Sequence, residues 1–349
     1  MISTTTARGG PSAAGTNWHL RKFENLIAFG DSYTDEGRLG YFWNHGGTPV
    51  PIGTVLPFSP VDSDGGIIWD RWVSIYTNAT LFDYATAGAV CSNNIVKKYV
   101  PGITNPIPDV LGSEIPSFIG DTKYVNPNTG TNTVYGTNRK ADNSVYALWI
   151  GTNDLGSGSF LTDSTFAGTT IVNYTNCIFE VFDAIYASGG RNFVLMNNAP
   201  LQLSPEYGIL DGVGPNQYWQ DKPSNITAIG YKMWEYTSLV NEIFRLQIPY
   251  EVHVSGRFAN AGFVLFDTHA LLTDIFNNPS HYLNGTSPLD VTNPYHQCNI
   301  TTGTCENATA SFDSYFWWDE VHPSVRVFQI VADAFVNITK GSSKWAQYW

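Results

Sequence analysis

The sequence predicts an α/β fold, a parallel sheet covered by helices on both faces. Three observations predict it. Short apolar runs end abruptly at small-residue turns, as strands buried on both faces do. Longer segments with apolar residues at three- and four-residue spacing alternate with these runs, as crossover helices must. No internal repeat and no convincing linker interrupts the 349 residues, a length that α/β folds often use as one unit. Residues 1–17, rich in Ser, Thr, Gly and Ala and lacking the apolar core of a signal peptide, read as a flexible N-terminal segment of a mature chain. Residues 18–349 read as one domain with long loops at one end of the sheet.

The elements follow in order. Leu26 to Phe29 is a buried strand stopped by Gly30, and Asp31-Ser32 lies on the turn beyond it. Asp35 to Phe42 opens a helix or a loop. An irregular stretch from Trp43 to Trp69 carries Pro49, Pro51, Pro57 and Pro60; loops of this length in compact domains are usually functional. Its aromatic residues, Trp43 and Trp69 above all, suit a sugar-binding rim, although covering the core is the weightier reading of the group. Arg71 to Thr77 reads as a helix and Thr80 to Tyr84 as a second strand, ending in Ala85-Thr86-Ala87-Gly88-Ala89. Residues 100–142 carry little periodicity beyond a helical stretch around Ser113 to Ile119.

Val145 to Ile150 is the clearest strand and ends at Gly151-Thr152-Asn153-Asp154. An amphipathic helix is expected from Thr165 to Ala187, closed by Gly189 and Gly190. Phe193 to Met196 is a fourth strand. A second long helix spans Asn225 to Gln247 and ends at Pro249. Glu251 to Val254 reads as a short strand and Gly262 to Asp267 as another, with a helix from Ala270. Residues 277–312 form a large insertion. Asp319-Glu320-Val321-His322-Pro323-Ser324 then leads into a helix to about Ile338, with Pro323 suited to its first turn.

Composition excludes whole classes. A formal net charge of −12 opposes nucleic-acid binding, which needs Lys and Arg against phosphates. No run approaches the ~18 apolar residues of a membrane helix, so no membrane span is expected. Asn-X-Ser/Thr acceptors at Asn78, Asn173, Asn225, Asn284, Asn299, Asn307 and Asn337 point to a secreted, extracellular glycoprotein. Cys298 and Cys305 flank a small polar loop and are expected to form a disulfide. Cys91 and Cys177 are read, by a small margin, as buried thiols. No Cys-X-X-Cys or His-Glu-X-X-His spacing suggests zinc, and no metal or cofactor is expected.

A serine nucleophile needs a base, a group to orient the base, and donors for an oxyanion. Ser32 sits on a strand-end turn. Two histidines have an acid in register. His322 follows Asp319 at i, i+3, and His269 follows Asp267 at i, i+2; spacing puts His322 only modestly ahead. Donors stand at three strand ends: the N–H groups of Ser32 and Gly88 and the side-chain amide of Asn153. No Gly-X-Ser-X-Gly elbow is present. Asp31 fits none of these roles and is expected to hold the turn by accepting backbone hydrogen bonds. Ser32 is expected to open a helix whose positive end would favour an oxyanion.

Phe29-Gly30-Asp31-Ser32-Tyr33-Thr34-Asp35 resembles the first conserved block of the GDSL or SGNH hydrolases. Ala87-Gly88-Ala89 is similar to the second block, Gly151-Thr152-Asn153-Asp154 to the third and Asp319-Glu320-Val321-His322-Pro323 to the last. The blocks occur in the family's order over most of the chain. The resemblance implies a three-layer α/β/α sandwich, flavodoxin-like, with five parallel strands. It implies Ser32 as nucleophile, an oxyanion hole of Ser32, Gly88 and Asn153, and His322 as base oriented by Asp319, setting aside Asp267 and His269. Within the family the chain looks most like secreted fungal acetylesterases of carbohydrate esterase family sixteen. That implies a monomeric serine esterase removing acetyl groups from plant cell-wall oligosaccharides. The alternatives are a GDSL lipase or phospholipase acting on longer acyl chains, and a non-catalytic sugar-binding protein on the same fold. Activity is expected to fall in acid as the His322 imidazole charges.

Overall fold

The computed structural model describes residues 16–20, 22–60, 63, 65–208 and 212–349; most of the expected N-terminal segment, 1–17, lies outside the described residues. Strands β1 (Asn25–Gly30), β2 (Thr80–Asp83), β3 (Ser144–Trp149), β4 (Asn192–Met196) and β5 (Gly262–Phe266) are parallel, in the order β2-β1-β3-β4-β5. Every residue of β1, β3, β4 and β5 is buried, which explains their unbroken apolar sequences. Four short strands follow, β6 (Asp290–Pro294), β7 (His296–Asn299), β8 (Thr304–Asn307) and β9 (Tyr315–Trp317). They form two small pairs apart from the main sheet. The last strand, β10 (Ala346–Tyr348), joins the sheet antiparallel to β5. The sheet therefore has a sixth strand beyond the five expected, too short at the chain end to show a period.

The helices are α1 (Arg38–Asn44), α2 (Trp69–Thr77), α3 (Ile115–Lys123), α4 (Thr152–Leu155), α5 (Ile171–Ala187), α6 (Ile226–Pro249), α7 (Thr268–Asn277) and α8 (Val325–Thr339). Helix α2 packs against α8, with α7 beside α8; α5 packs against α3 and α6. These two groups cover the sheet as the layers of an α/β/α sandwich. Strand order reverses between β1 and β3, where Gly30 pairs with Trp149 at the carboxyl ends. Ligands of open α/β sheets bind at such a reversal.

Several local expectations are corrected. Helix α5 begins at Ile171 rather than Thr165, because the Asn173 side chain accepts from the Thr170 N–H at 2.8 Å and fixes the first turn. Asn225 caps α6 by accepting from the Ala228 N–H at 3.2 Å. Glu251 to Val254 is no strand. The chain stays helical past Pro249 and closes with a π-helical turn, Tyr250–Val254, in which the Ser255 N–H donates to the Tyr250 carbonyl.

Cys91 and Cys177 are not thiols: they form a disulfide, with Cα atoms 6.2 Å apart, joining the loop after β2 to α5 across 86 residues. Cys298 and Cys305 are also bonded, directly opposite each other in the β7–β8 hairpin. A tie across so many residues restricts the unfolded chain far more than the hairpin bond does. Replacing both Cys91 and Cys177 by Ala is expected to cost about 2–4 kcal/mol, read as a lower urea midpoint with the fold retained. An unchanged midpoint would show that the long tie adds nothing.

Candidate active site

Gly30 ends β1 with φ +153°, and a Cβ there would lie 2.2 Å from the Trp149 carbonyl oxygen. Only glycine lets the chain turn this close to β3. The next turn hangs on Asp31. Its carbonyl accepts the N–H groups of Thr34 and Asp35, and its Oδ1 accepts the Tyr33 N–H at 3.0 Å. Asp31 thus holds the turn through its side chain. Burial pushes its carboxyl up to about 7, against the pull of the Tyr33 N–H and the His322 charge. Ser32 does not open a helix, because α1 starts only at Arg38.

The loop after β9 brings Asp319 and His322 to Ser32. Asp319 Oδ1 accepts the N–H groups of Val321 at 2.9 Å and His322 at 2.7 Å. This folds the loop back so that His322 Nδ1 sits 2.9 and 2.8 Å from the two Asp319 oxygens. On its other side, His322 Nε2 lies 2.7 Å from Ser32 Oγ. Ser32, Asp319 and His322 are 8%, 3% and 5% exposed, so the three are largely shielded from water. Tyr33, next to the serine, donates its hydroxyl to the Val321 carbonyl at 2.7 Å and sets its ring edge-on to His322. Burial alone would raise the Asp319 carboxyl. The His322 charge and hydrogen bonds from His322, Tyr218 and Val321 outweigh it and hold the group below its ordinary value.

Tyr218 is the residue that sequence reasoning missed here. Its hydroxyl donates to Asp319 Oδ2 at 2.6 Å, and its ring stands edge-on to His322. It lies 101 residues from Asp319 in a loop without periodicity, and one more aromatic in an aromatic loop carries no signal. The other candidate pair, Asp267 and His269, is placed elsewhere. Asp267 caps α7 and accepts from Asn197, and His269 Nε2 lies near the Gln202 amide.

Gly88 lies in the turn after β2 with φ +81°. Among the described residues, no acceptor is found for the N–H of Gly88 or of Ser32. Asn153 opens α4, and its Nδ2 donates to the Ala89 carbonyl at 3.0 Å, which sets the amide against the Gly88 turn and leaves its second proton unused by that bond. Buried carboxylates fix this arrangement. Glu114 accepts the Gly30 N–H on one oxygen and the Thr86 N–H on the other, each at 3.1 Å. Asp35 accepts the Ala87 N–H at 2.8 Å together with the first N–H groups of α1. Asp154 accepts the Cys91 N–H at 3.0 Å, and burial pushes its carboxyl up to about 7. Glu114 had no local signal: it ends a π-helical turn, Val110–Glu114, a kind of turn frequent at functional sites.

Two expected substrate contacts fare differently. Trp69 is fully buried, its indole donating to Thr34 Oγ1, because the apolar face of α2 packs into the core. It is not a rim residue. Trp43 is 50% exposed on α1, and among the described residues no hydrogen bond or ring contact joins it to Ser32, Asp319 or His322. His296, Cys298 and Cys305 lie close together, but the two sulfurs are spent in the disulfide, so the group offers a metal one imidazole only. The asparagines at 78, 173, 225, 284, 299, 307 and 337 are all exposed. No helix among the described residues is long and apolar enough to cross a membrane.

The chain is similar over most of its length to known proteins. The model of the GDSL-like lipase/acylhydrolase family matches residues 26–335. An acetylesterase of Hypocrea jecorina is 41% identical over 332 residues, 94% of this chain and 92% of that protein. GDSL esterase/lipase 4 of Arabidopsis thaliana is 25% identical, over 88% of this chain and 85% of that one. An acetylesterase of Thermothelomyces thermophilus is 24% identical, over 91% and 88%. Among solved structures, an acetylxylan esterase from Geobacillus stearothermophilus aligns over 93% of this chain and 96% of its own, at 14% identity and a TM-score of 0.43. The chain belongs to the GDSL-like lipase/acylhydrolase family of carboxylic ester hydrolases.

Proposed function

We propose that this protein is a secreted acetylesterase that removes acetyl groups from plant cell-wall oligosaccharides through Ser32, His322 and Asp319, with residues 18–349 acting as one catalytic domain. The observation that carries the proposal is the 2.7 Å contact between His322 Nε2 and Ser32 Oγ, with Asp319 on the opposite ring nitrogen. A neutral imidazole so held keeps its proton on Nδ1 and presents a lone pair to the serine.

In the proposed reaction His322 takes the Ser32 proton as Oγ attacks the ester carbonyl. The oxyanion lies against the N–H groups of Ser32 and Gly88 and the Asn153 amide. The alcohol leaves with the proton from His322, and water then enters by the same steps to release acetate. Asp319, its carboxyl held below its ordinary value, stays ionised throughout and balances the imidazolium. Two disulfides and the exposed sequons suit an oxidising, glycosylating compartment. The 41% identical relative, named an acetylesterase, supports the acyl preference.

Two measurements test this reading. Ser32→Ala should lower kcat on aryl acetates by several orders of magnitude with the fold intact, and acetyl esters should turn over much faster than long-chain esters. Comparable rates on both chain lengths would make the protein a lipase; unchanged hydrolysis by Ser32→Ala would leave only a binding role for this site. Glu114→Gln sets an NH2 group against a backbone N–H at one of the two turns that Glu114 joins. It should lower kcat by roughly 10- to 100-fold, the scale of small misplacements at a reacting centre, with KM little changed. A change in thermal stability alone, at full kcat, would show that Glu114 supports the fold and not the oxyanion site.

A further inference from the structure

Asp319 faces the imidazole, and its own carboxylate must be held before it can hold a ring. A carboxylate turns about its last side-chain bond unless both oxygens are tied. Oδ1 is tied from within its own loop, by the N–H groups of Val321 and His322. Oδ2 receives nothing from that loop except the His322 ring at 2.8 Å. Among the described residues its one other donor is the Tyr218 hydroxyl at 2.6 Å, brought from 101 residues away.

The chemistry of the three groups is consistent. A carboxylate oxygen has two lone pairs, so Oδ2 can take the imidazole and the phenol together. The 3.4 Å between the Tyr218 hydroxyl and His322 Nδ1 follows from the shared acceptor. With Nδ1 carrying its proton, both groups donate to Oδ2 and neither to the other. The phenol keeps its proton for this role, because burial and the negative charge of Asp319 push its titration well above the ordinary tyrosine range. Packing does not account for the residue. Tyrosine ordinarily buries its ring and leaves its tip in water, whereas Tyr218 is 43% exposed and spends its hydroxyl on a carboxylate that is 3% exposed.

The loop that carries Tyr218 is built to hold it there. Two successive side chains reach two successive residues of the catalytic loop: Gln217 donates to Glu320 Oε2 at 3.1 Å, beside the Tyr218–Asp319 bond. The Glu320 carbonyl in turn accepts the Glu206 N–H at 2.7 Å. Asn216 Oδ1 accepts the Tyr218 N–H at 2.8 Å, and the Asn216 amide donates to the buried Glu206 carboxylate. Lys222 donates to the carbonyls of Glu206 and Val213. Polar groups buried and satisfied in this way fix a loop in one arrangement.

We infer that Tyr218 is a positioning residue for the proposed reaction: its hydroxyl fixes the Asp319 carboxylate, and through it holds the His322 imidazole in line with Ser32. The inference rests on the reading of Ser32, His322 and Asp319 as a triad. A double-mutant cycle in the full-length protein, read as kcat and KM on an aryl acetate, separates this role from a structural one. Tyr218→Phe removes the hydroxyl and leaves the ring. It should lower kcat about 10- to 100-fold, the scale of one hydrogen bond to a charged group, with KM little changed. Asp319→Asn should lower kcat further, and adding Tyr218→Phe to it should change kcat by less than about twofold, because the phenol then has no carboxylate to hold. A defect of folding would act alike in both backgrounds. Full kcat in Tyr218→Phe, or the same fold loss in both backgrounds, would overturn the inference and leave the triad standing. Full kcat in Asp319→Asn would sink the triad reading and the inference with it.

Discussion

The active end of the sheet depends on the Glu114 carboxylate. Gly30 must pass within van der Waals reach of the Trp149 carbonyl to aim Ser32 outward, and the Thr86–Ala89 turn must rise from a neighbouring strand to meet it. The Thr86 N–H donates to the Gly30 carbonyl at 3.3 Å, Glu114 adds a tie by accepting one N–H from each of the two residues, and Asp35 adds another at Ala87. The N–H groups one or two positions further along, on Ser32 and Gly88, find no acceptor among the described residues, while those of Tyr33, Ala87 and Ala89 beside them are engaged. Donors fixed in advance need no reorganisation when negative charge develops, which is where much of an acyl-transfer enzyme's rate originates.

That arrangement gathers acidic groups in a buried place. Asp31, Asp35, Asp154 and Glu114 all have carboxyls raised by desolvation. A raised carboxyl binds its proton more tightly in the folded state than in the unfolded one. Its contribution to stability therefore declines as pH climbs from the ordinary carboxylate range toward the raised value, about 7 for Asp31 and Asp154. Asp319 runs the other way. Its lowered value adds stability above the ordinary range, lost as pH falls through it. Burial raises the carboxyls that hold the backbone turns, whereas the imidazole and the hydrogen bonds around it lower the one that faces it.

What the sequence made legible was local. A strand stopped by a small-residue turn needs only its own residues to be recognised, and the blocks at Ser32, Gly88 and Asn153 are of that kind. Asp319 and His322 were legible because three residues fold one onto the other. Tyr218, Glu114 and the Cys91–Cys177 bond were not, since each is defined by a partner far along the chain that the fold alone brings near. Trp69 misled for the same reason: an indole flanking a long loop reads as a rim residue until the packing of α2 on α8 shows it inside. Glu251 to Val254 misled because four residues are too few to separate a strand from a turn of π-helix.

The central claim is that His322 activates Ser32. The most direct measurement is the rate and place of labelling by a fluorophosphonate, which reacts with an activated serine without needing turnover. Labelling should occur once per chain, on the peptide holding Ser32, and should slow by about 100-fold or more in His322→Ala, the scale of general-base assistance. Labelling on another residue, or at an unchanged rate in His322→Ala, would contradict it.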